Sequence, residues 1–222
     1  MPVLFPVLLA VSLILAALYI AGVIKPPLAA KTIASLAFVA LGAFLLFRSP
    51  PHTAFRLLIF LGLVFGAAGD VLLELFDQSS KKFLIGVFAF FTGHAMYIAA
   101  FFTRNAPGAL LALLFAFPAA ALLTILSARL LVFEGVMRIA LLGYMFALSF
   151  MTSFAWVTLV MTGLKPFLLL APGAALFLLS DTSLGLMMFG KPAIRKHSRL
   201  LGAICLITYY LAQNAIASSL LF

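Results

Sequence analysis

Long apolar runs, separated by short polar or Pro/Gly breaks, cover almost the whole chain. A helix needs about 20 apolar residues to cross the hydrocarbon core of a bilayer, and most of these runs have about that length. The pattern predicts an all-α fold, a polytopic membrane bundle of eight transmembrane helices, forming a single integral membrane domain over residues 1–222. The predicted spans are roughly 3–24, 29–47, 55–76, 83–103, 108–126, 136–162, 166–189 and 200–221.

The composition leads to the same class of protein. Hydrophobic residues make up 66% of the chain and charged residues only 9%, whereas about 25% of a soluble domain is charged. The first apolar run is too long and too evenly apolar for a signal peptide, and no charged segment precedes it. We therefore expect an uncleaved first helix and no soluble domain.

The positions of the basic residues predict the orientation in the membrane. The odd-numbered loops and their flanks hold ten: Lys25, Lys31, Lys81, Lys82, Arg129, Arg138, Lys191, Arg195, Lys196 and Arg199. The even-numbered loops hold four: Arg48, Arg56, Arg104 and Lys165. By the positive-inside rule, the odd loops lie in the cytoplasm and both termini lie outside it. The net charge of +9 then reflects topology and contacts with lipid headgroups, and we expect no nucleic-acid partner.

Three of the five acidic residues lie inside predicted spans: Asp70, Glu74 and Asp181. An ionisable side chain at bilayer depth costs at least ~2.5–3.5 kcal/mol, so each is a functional candidate. At 1.5 Å per residue, Asp70 lies roughly 9 Å and Asp181 roughly 12 Å from the cytoplasmic ends of their helices. The two helices run in the same direction, so we expect the two aspartates at a similar depth. Glu74 is one turn nearer the surface.

Other polar side chains lie on faces that could meet these acids. Gly62 and Gly66 continue the Asp70 stripe at i, i+4 spacing, which predicts that this stripe faces protein. His94 and Tyr97 share a face of the fourth span, Tyr209 and Gln213 share a face of the eighth, and Lys25 follows the first. We expect one polar pocket, opening toward the cytoplasmic half of the bilayer.

The residue inventory narrows the chemistry. Only one of the three histidines, His94, lies inside a span, so His94 with Asp70 and Asp181 is the one metal trio to consider, and we expect no metal there. No G-x-S-x-G nucleophile motif occurs. Acid/base chemistry by paired carboxyl groups and proton-coupled transport both remain open.

Five short motifs, in order along the chain, resemble the YhhN-like lysoplasmalogenase family of multi-span membrane proteins. They are "KP" at Lys25-Pro26, "GDVLLE" at Gly69–Glu74, "GHAMY" at Gly93–Tyr97, "SDTSLG" at Ser180–Gly185 and "YYLAQ" at Tyr209–Gln213. The doubled proline after Lys25 departs slightly from the family pattern.

The resemblance implies hydrolysis of the vinyl-ether bond of lysoplasmalogens. The products would be a fatty aldehyde and glycerophosphoethanolamine or glycerophosphocholine. Asp70 and Asp181 correspond to the expected catalytic acids, and Lys25, His94, Tyr97, Tyr209 and Gln213 to substrate-binding residues of the pocket. Glu74, beside Asp70 in the same motif, is a further substrate-binding candidate.

The implied reaction requires neither a metal nor an organic cofactor, and the expected partners are a lysophospholipid substrate and membrane lipids, with no obligate protein partner. Two alternatives stay open: a small proton-coupled lipid or solute transporter, and an assembly protein whose acids only hold helices together.

Overall fold

The computed structural model describes residues 4–23, 27–48, 53–75, 83–132 and 135–222. Almost all of these residues are helical. The α-helices are α1 Leu4–Ile20, α2 Pro27–Arg48, α3 Ala54–Leu75, α4 Phe83–Asn105, α5 Gly108–Leu130, α6 Gly135–Thr162, α7 Phe167–Phe189, α8 Pro192–Arg195 and α9 Ser198–Ser218, and a 3₁₀ turn over Ser219–Leu221 follows α9.

Seven of these helices, α2 to α7 and α9, are long and apolar enough to cross a bilayer. The first helix, α1, is equally apolar but has 17 described residues. At 1.5 Å per residue it is about 26 Å long, slightly less than a hydrocarbon core of about 30 Å. The chain is thus an α-helical multi-pass membrane protein, and the eighth span remains a prediction.

The packing places α3, α4 and α9 around one shared interior. α3 packs along α4, α7 along α9, and α5 along α6, while α2 contacts α1, α3 and α9. The buried interior is mostly aromatic and aliphatic, and the outward faces of α5 and α6 carry exposed apolar side chains such as Leu110 and Val160. An apolar exterior of this kind is suited to contact with the lipid chains of a bilayer.

The ends of α5 and α7 are joined by backbone hydrogen bonds. The Val132 amide donates to the Phe189 carbonyl at 2.7 Å, and the Lys191 amide donates to the Leu130 carbonyl at 2.9 Å. The exposed turn α8 follows directly. This connection fixes the neighbouring ends of the two helices, and it lies beside the cavity described below.

Candidate active site

Asp70 is buried where α2, α3 and α9 meet. The Ser35 hydroxyl on α2 donates a hydrogen bond of 2.5 Å to Asp70 Oδ2. Lys31, one turn earlier on α2, places its Nζ 3.8 Å from Asp70 Oδ1 and 3.5 Å from Glu74 Oε2. Tyr209 on α9 lies close enough to Asp70 to interact with it electrostatically. The carboxyl group therefore has a hydrogen-bond donor on α2, a nearby cation and a polar neighbour on α9.

A chain of buried side chains leads from α4 to this carboxyl group. The Tyr97 hydroxyl donates to Gln213 Oε1 at 3.0 Å, and Gln213 Nε2 donates to the Tyr209 hydroxyl at 3.1 Å. Tyr209 in turn lies near Asp70. Three residues expected in the pocket, Tyr97, Gln213 and Tyr209, thus form a hydrogen-bonded chain between α4 and α9 that ends close to Asp70.

The glycine stripe of α3 makes room for this group. A Cβ added at Gly62 would lie 2.2 Å from the Tyr97 ring, and one added at Gly66 would lie 2.3 Å from Gln213 Nε2. No side chain fits at those distances, so glycine lets α4 and α9 bring their polar side chains against α3. The prediction that this stripe faces protein is confirmed.

Asp181 belongs to a second polar group, formed by α4, α6 and α7. The Tyr144 hydroxyl donates a hydrogen bond to Asp181 Oδ2. His94 Nε2 lies 3.3 Å from the same oxygen and 3.1 Å from the Tyr144 hydroxyl. The Asp181 side chain is 9% exposed and that of His94 is 1% exposed. His94 Nδ1 has no hydrogen-bond partner among the described residues.

An aromatic cluster separates the two carboxyl groups. The Phe177 ring lies 4.7 Å from the His94 ring and 5.4 Å from the Tyr209 ring, between centroids. Phe90 packs edge-on against both Phe177 and Tyr209. Asp70 and Asp181 are still close enough for their charges to interact. The described side chains thus form two adjacent polar groups, where the sequence led us to expect one pocket.

A largely apolar cavity of about 170 Å³ borders the Asp181 group. Leu, Phe, Val and Met side chains of α3 to α7 form most of its walls. Its polar lining residues are Tyr144, Asp181, Ser127 and Thr182, and Asp70 does not line it. Of the two aspartates, Asp181 is the one that faces open space suited to a hydrocarbon.

The remaining sequence candidates lie at the edge of these groups. Glu74 is paired with Lys31 and its side chain is 32% exposed, so it lies at the outer side of the Asp70 group. Lys25 falls outside the described residues. Among the described histidines, cysteines and acids, no three could together hold a metal ion.

Three residues of these groups were not among the sequence candidates: Lys31, Ser35 and Tyr144. Lys31 was counted as a loop charge, yet its side chain is only 12% exposed and points at Asp70. The i, i+4 spacing of Lys31 and Ser35 was a usable signal, since it places both on one face of α2. Tyr144 is the single tyrosine of α6, but nothing in its spacing singles it out.

Four of the five motifs contribute side chains to the two polar groups, from Asp70 on α3 to Gln213 on α9. The fifth, Lys25-Pro26, lies outside the described residues. The family model described as the YhhN family matches residues 27–220, nearly the whole chain. The chain belongs to the YhhN family. Searches of curated proteins and of solved structures find no significant match. Family membership agrees with the membrane fold, and it does not by itself assign an activity to this chain.

Proposed function

We propose that this YhhN-family protein is a membrane lysoplasmalogenase, an ether-bond hydrolase. It would cleave the vinyl-ether bond of a lysoplasmalogen to a fatty aldehyde and glycerophosphoethanolamine or glycerophosphocholine. The observation that carries the proposal is the Asp181 carboxyl group, which is hydrogen-bonded by Tyr144, lies beside His94, and lines an apolar cavity within the bundle. An amphiphile with one hydrocarbon chain and a bond sensitive to acid suits such a site.

The reaction requires a proton donor and a group that stabilises a positively charged intermediate. Protonation of the β-carbon of the vinyl ether gives an oxocarbenium ion, to which water adds. The resulting hemiacetal collapses to the aldehyde and the free glycerol hydroxyl. One carboxyl group delivers the proton and a second stabilises the cation or activates the water, as paired carboxyl groups do in glycosidases.

The geometry supports unequal positions for Asp70 and Asp181. Asp181 lines the cavity and would contact the reacting bond. Asp70 lies behind the aromatic cluster and would act on the same site through its charge and through Tyr209. His94 does not line the cavity, and it would act by positioning the Asp181 carboxyl group through Nε2.

The test is aldehyde release from a lysoplasmalogen by the purified protein in lipid nanodiscs, measured with and without a chelator. Asp181→Asn keeps the shape of the side chain, and we expect at least about a hundredfold loss of turnover because acid/base catalysis contributes that much. Asp70→Asn should also lower turnover. Ser183→Ala, a buried hydroxyl on α7 that donates to the Leu179 carbonyl, is the matched control and should leave activity unchanged.

Normal turnover in both aspartate variants would refute this mechanism, and loss of turnover in the chelator would point to a metal enzyme instead. The second candidate is a proton-coupled lipid or solute transporter. It is favoured by three ionisable groups inside the membrane helices, Asp70, Asp181 and His94, since chains of acids and histidines relay protons in transporters. Proton-driven flux into liposomes without aldehyde formation would support that candidate.

We further propose that α1 is the eighth span, so that both termini lie outside the cytoplasm. The distribution of basic residues supports this orientation. Asp181 lies in the half of α7 that precedes the basic segment Lys191–Arg199, so the site would open toward the cytoplasmic half of the bilayer. Membrane lipids and the lysophospholipid substrate would be its partners.

A further inference from the structure

The cavity beside Asp181 is elongated along α7. Along α7 its lining runs from Leu178 to Phe189, about 16 Å of helix at 1.5 Å per residue. Asp181 and Tyr144 lie in the part toward the middle of α7, and the stretch beyond them is lined mainly by apolar side chains of α4, α5, α6 and α7. A ligand that reacts at Asp181 thus has a long apolar space on one side of the reacting bond.

Gly185 lies in this apolar stretch, one helical turn beyond Asp181 and on the same face of α7. A Cβ built on Gly185 meets no atom within 4 Å, so the residue borders open space. A side chain at this position would extend into the cavity without displacing any neighbouring atom at its Cβ. Such a side chain would narrow the cavity about 6 Å along the helix axis from Asp181.

We infer that this cavity binds the hydrocarbon chain of a single-chain lipid, and that Gly185 sets the chain length the site accepts. The inference rests on the proposed function and adds its specificity-determining residue. A chain held here would place its vinyl-ether end at Asp181 and its methyl end toward Phe189.

The walls favour the chain over the headgroup. None of the described lining residues is basic, and the four polar ones cannot neutralise a phosphate. Burial of apolar surface stabilises a bound chain by about 0.8 kcal/mol per methylene, whereas a charged headgroup in the same space would lose its hydration. The exposed basic residues nearby, such as Arg195 and Lys196, lie outside the cavity.

The experiment compares lysoplasmalogens with butenyl, dodecenyl and octadecenyl chains. In Gly185→Leu we expect kcat/KM for the octadecenyl substrate to fall at least about tenfold, because even one displaced methylene in an apolar site has an effect of this size. The value for the butenyl substrate should change little, because that chain is too short to reach Gly185. Gly185→Ala should also lower kcat/KM most for the longest chain, but by a smaller factor. Leucine and alanine both favour helix over glycine, so neither change is expected to disrupt α7.

Gly143→Leu is the matched control. Gly143 is also a helical glycine, a Cβ built on it meets nothing within 4 Å, and it is exposed on the outer face of α6 rather than lining the cavity. The same substitution there should leave the chain-length profile as in the unmodified protein. An equal loss for all chain lengths in Gly185→Leu, or no loss at all, would overturn the inference.

A second readout separates this inference from the proposed function. A saturated alkyl lysophosphatidylcholine, which cannot be cleaved, is used with a diazirine near the middle of its octadecyl chain, at the level of Leu130 and Phe189. Photolabelling of the α5 and α7 residues around Leu130 and Phe189, lost in Gly185→Leu and kept in Gly143→Leu, would support the chain site even if no aldehyde is ever formed. Labelling that is unchanged by Gly185→Leu would refute the site even in an active enzyme.

Discussion

At the scale of single residues, Tyr144 is the side chain on which Asp181 depends most directly. Its hydroxyl donates to the carboxyl group and also lies 3.1 Å from His94 Nε2, so it fixes both partners. Asp181 has no other hydroxyl donor among the described residues. A carboxyl group that has lost this donor should keep its place on α7 but lose its orientation toward the cavity.

We therefore predict that Tyr144→Phe lowers kcat for lysoplasmalogen at least about tenfold, since a misplaced catalytic group has effects of that size or larger. The effect should fall on kcat more than on KM, because the ring that lines the cavity is retained. Thr162→Val, which removes a hydroxyl at the far end of α6 that donates to the Thr158 carbonyl, is the control. Wild-type kinetics in Tyr144→Phe would show that Asp181 works without this hydrogen bond.

Residue spacing predicted one of the two polar groups better than the other. Tyr209 and Gln213 are four apart on one helix, and the structure joins them directly, at 3.1 Å. Lys31 and Tyr144 were missed for a physical reason. A lysine near a predicted span end reads as a topology signal, and a tyrosine alone on an apolar helix gives no spacing to interpret, so only the neighbouring helices reveal their roles.

At the scale of helices, hydrophobic length located the spans well and their ends less well. Spans predicted at 55–76 and 83–103 correspond to α3 at Ala54–Leu75 and α4 at Phe83–Asn105. The fifth was predicted to end at residue 126, whereas α5 continues to Leu130, because "LSARL" has no helix-breaking residue. Pro118 and Pro172 lie inside α5 and α7, as membrane helices tolerate.

Helix contacts also depend on the α3 glycines, and this gives a test at the same scale. Gly66→Ala would place a methyl group 2.3 Å from Gln213 Nε2 and force α3 and α9 to separate or Gln213 to move. Overpacking of this kind costs about 1–3 kcal/mol, so we expect a lower free energy of unfolding in detergent. Gly143→Ala adds the same methyl group on an exposed face and should not destabilise the protein.

A double-mutant cycle identifies the contact responsible. If the clash is with Gln213, then Gly66→Ala should cost much less in a Gln213→Ala background, where the amide is absent. Additive losses would mean that the methyl group at position 66 disturbs some other part of the α3–α9 contact.

At the scale of the whole molecule, the sequence could not reveal which helices adjoin. It provided two aspartates at a similar expected depth, and one pocket was the simplest arrangement. The order of the bundle instead places Asp70 against α2 and α9 and Asp181 against α4 and α6, with Phe177 touching both sides. Helix order follows from side-chain packing over the whole bundle, which no single stretch of sequence encodes.

The orientation of the bundle depends on α1, because seven spans would place the two ends of the described chain on opposite sides and eight would place them on the same side. The exposed positions Leu4 and Val23 bracket α1. In a Cys205→Ala background, which removes the one native cysteine, we predict that Leu4→Cys reacts with a membrane-impermeant maleimide on intact cells. Val23→Cys should react only after permeabilisation.

Phe222→Cys, at the far end of the chain, supplies the comparison. It is exposed and should behave as Leu4→Cys does if α1 crosses the membrane. If Phe222→Cys reacts from outside while Leu4→Cys and Val23→Cys both react only after permeabilisation, then α1 does not cross the membrane. It would instead be a helix that lies on the bundle. Phe222→Cys reacting only after permeabilisation would reverse the orientation and place the basic segment Lys191–Arg199 outside, against the charge distribution that predicts a cytoplasmic opening of the site.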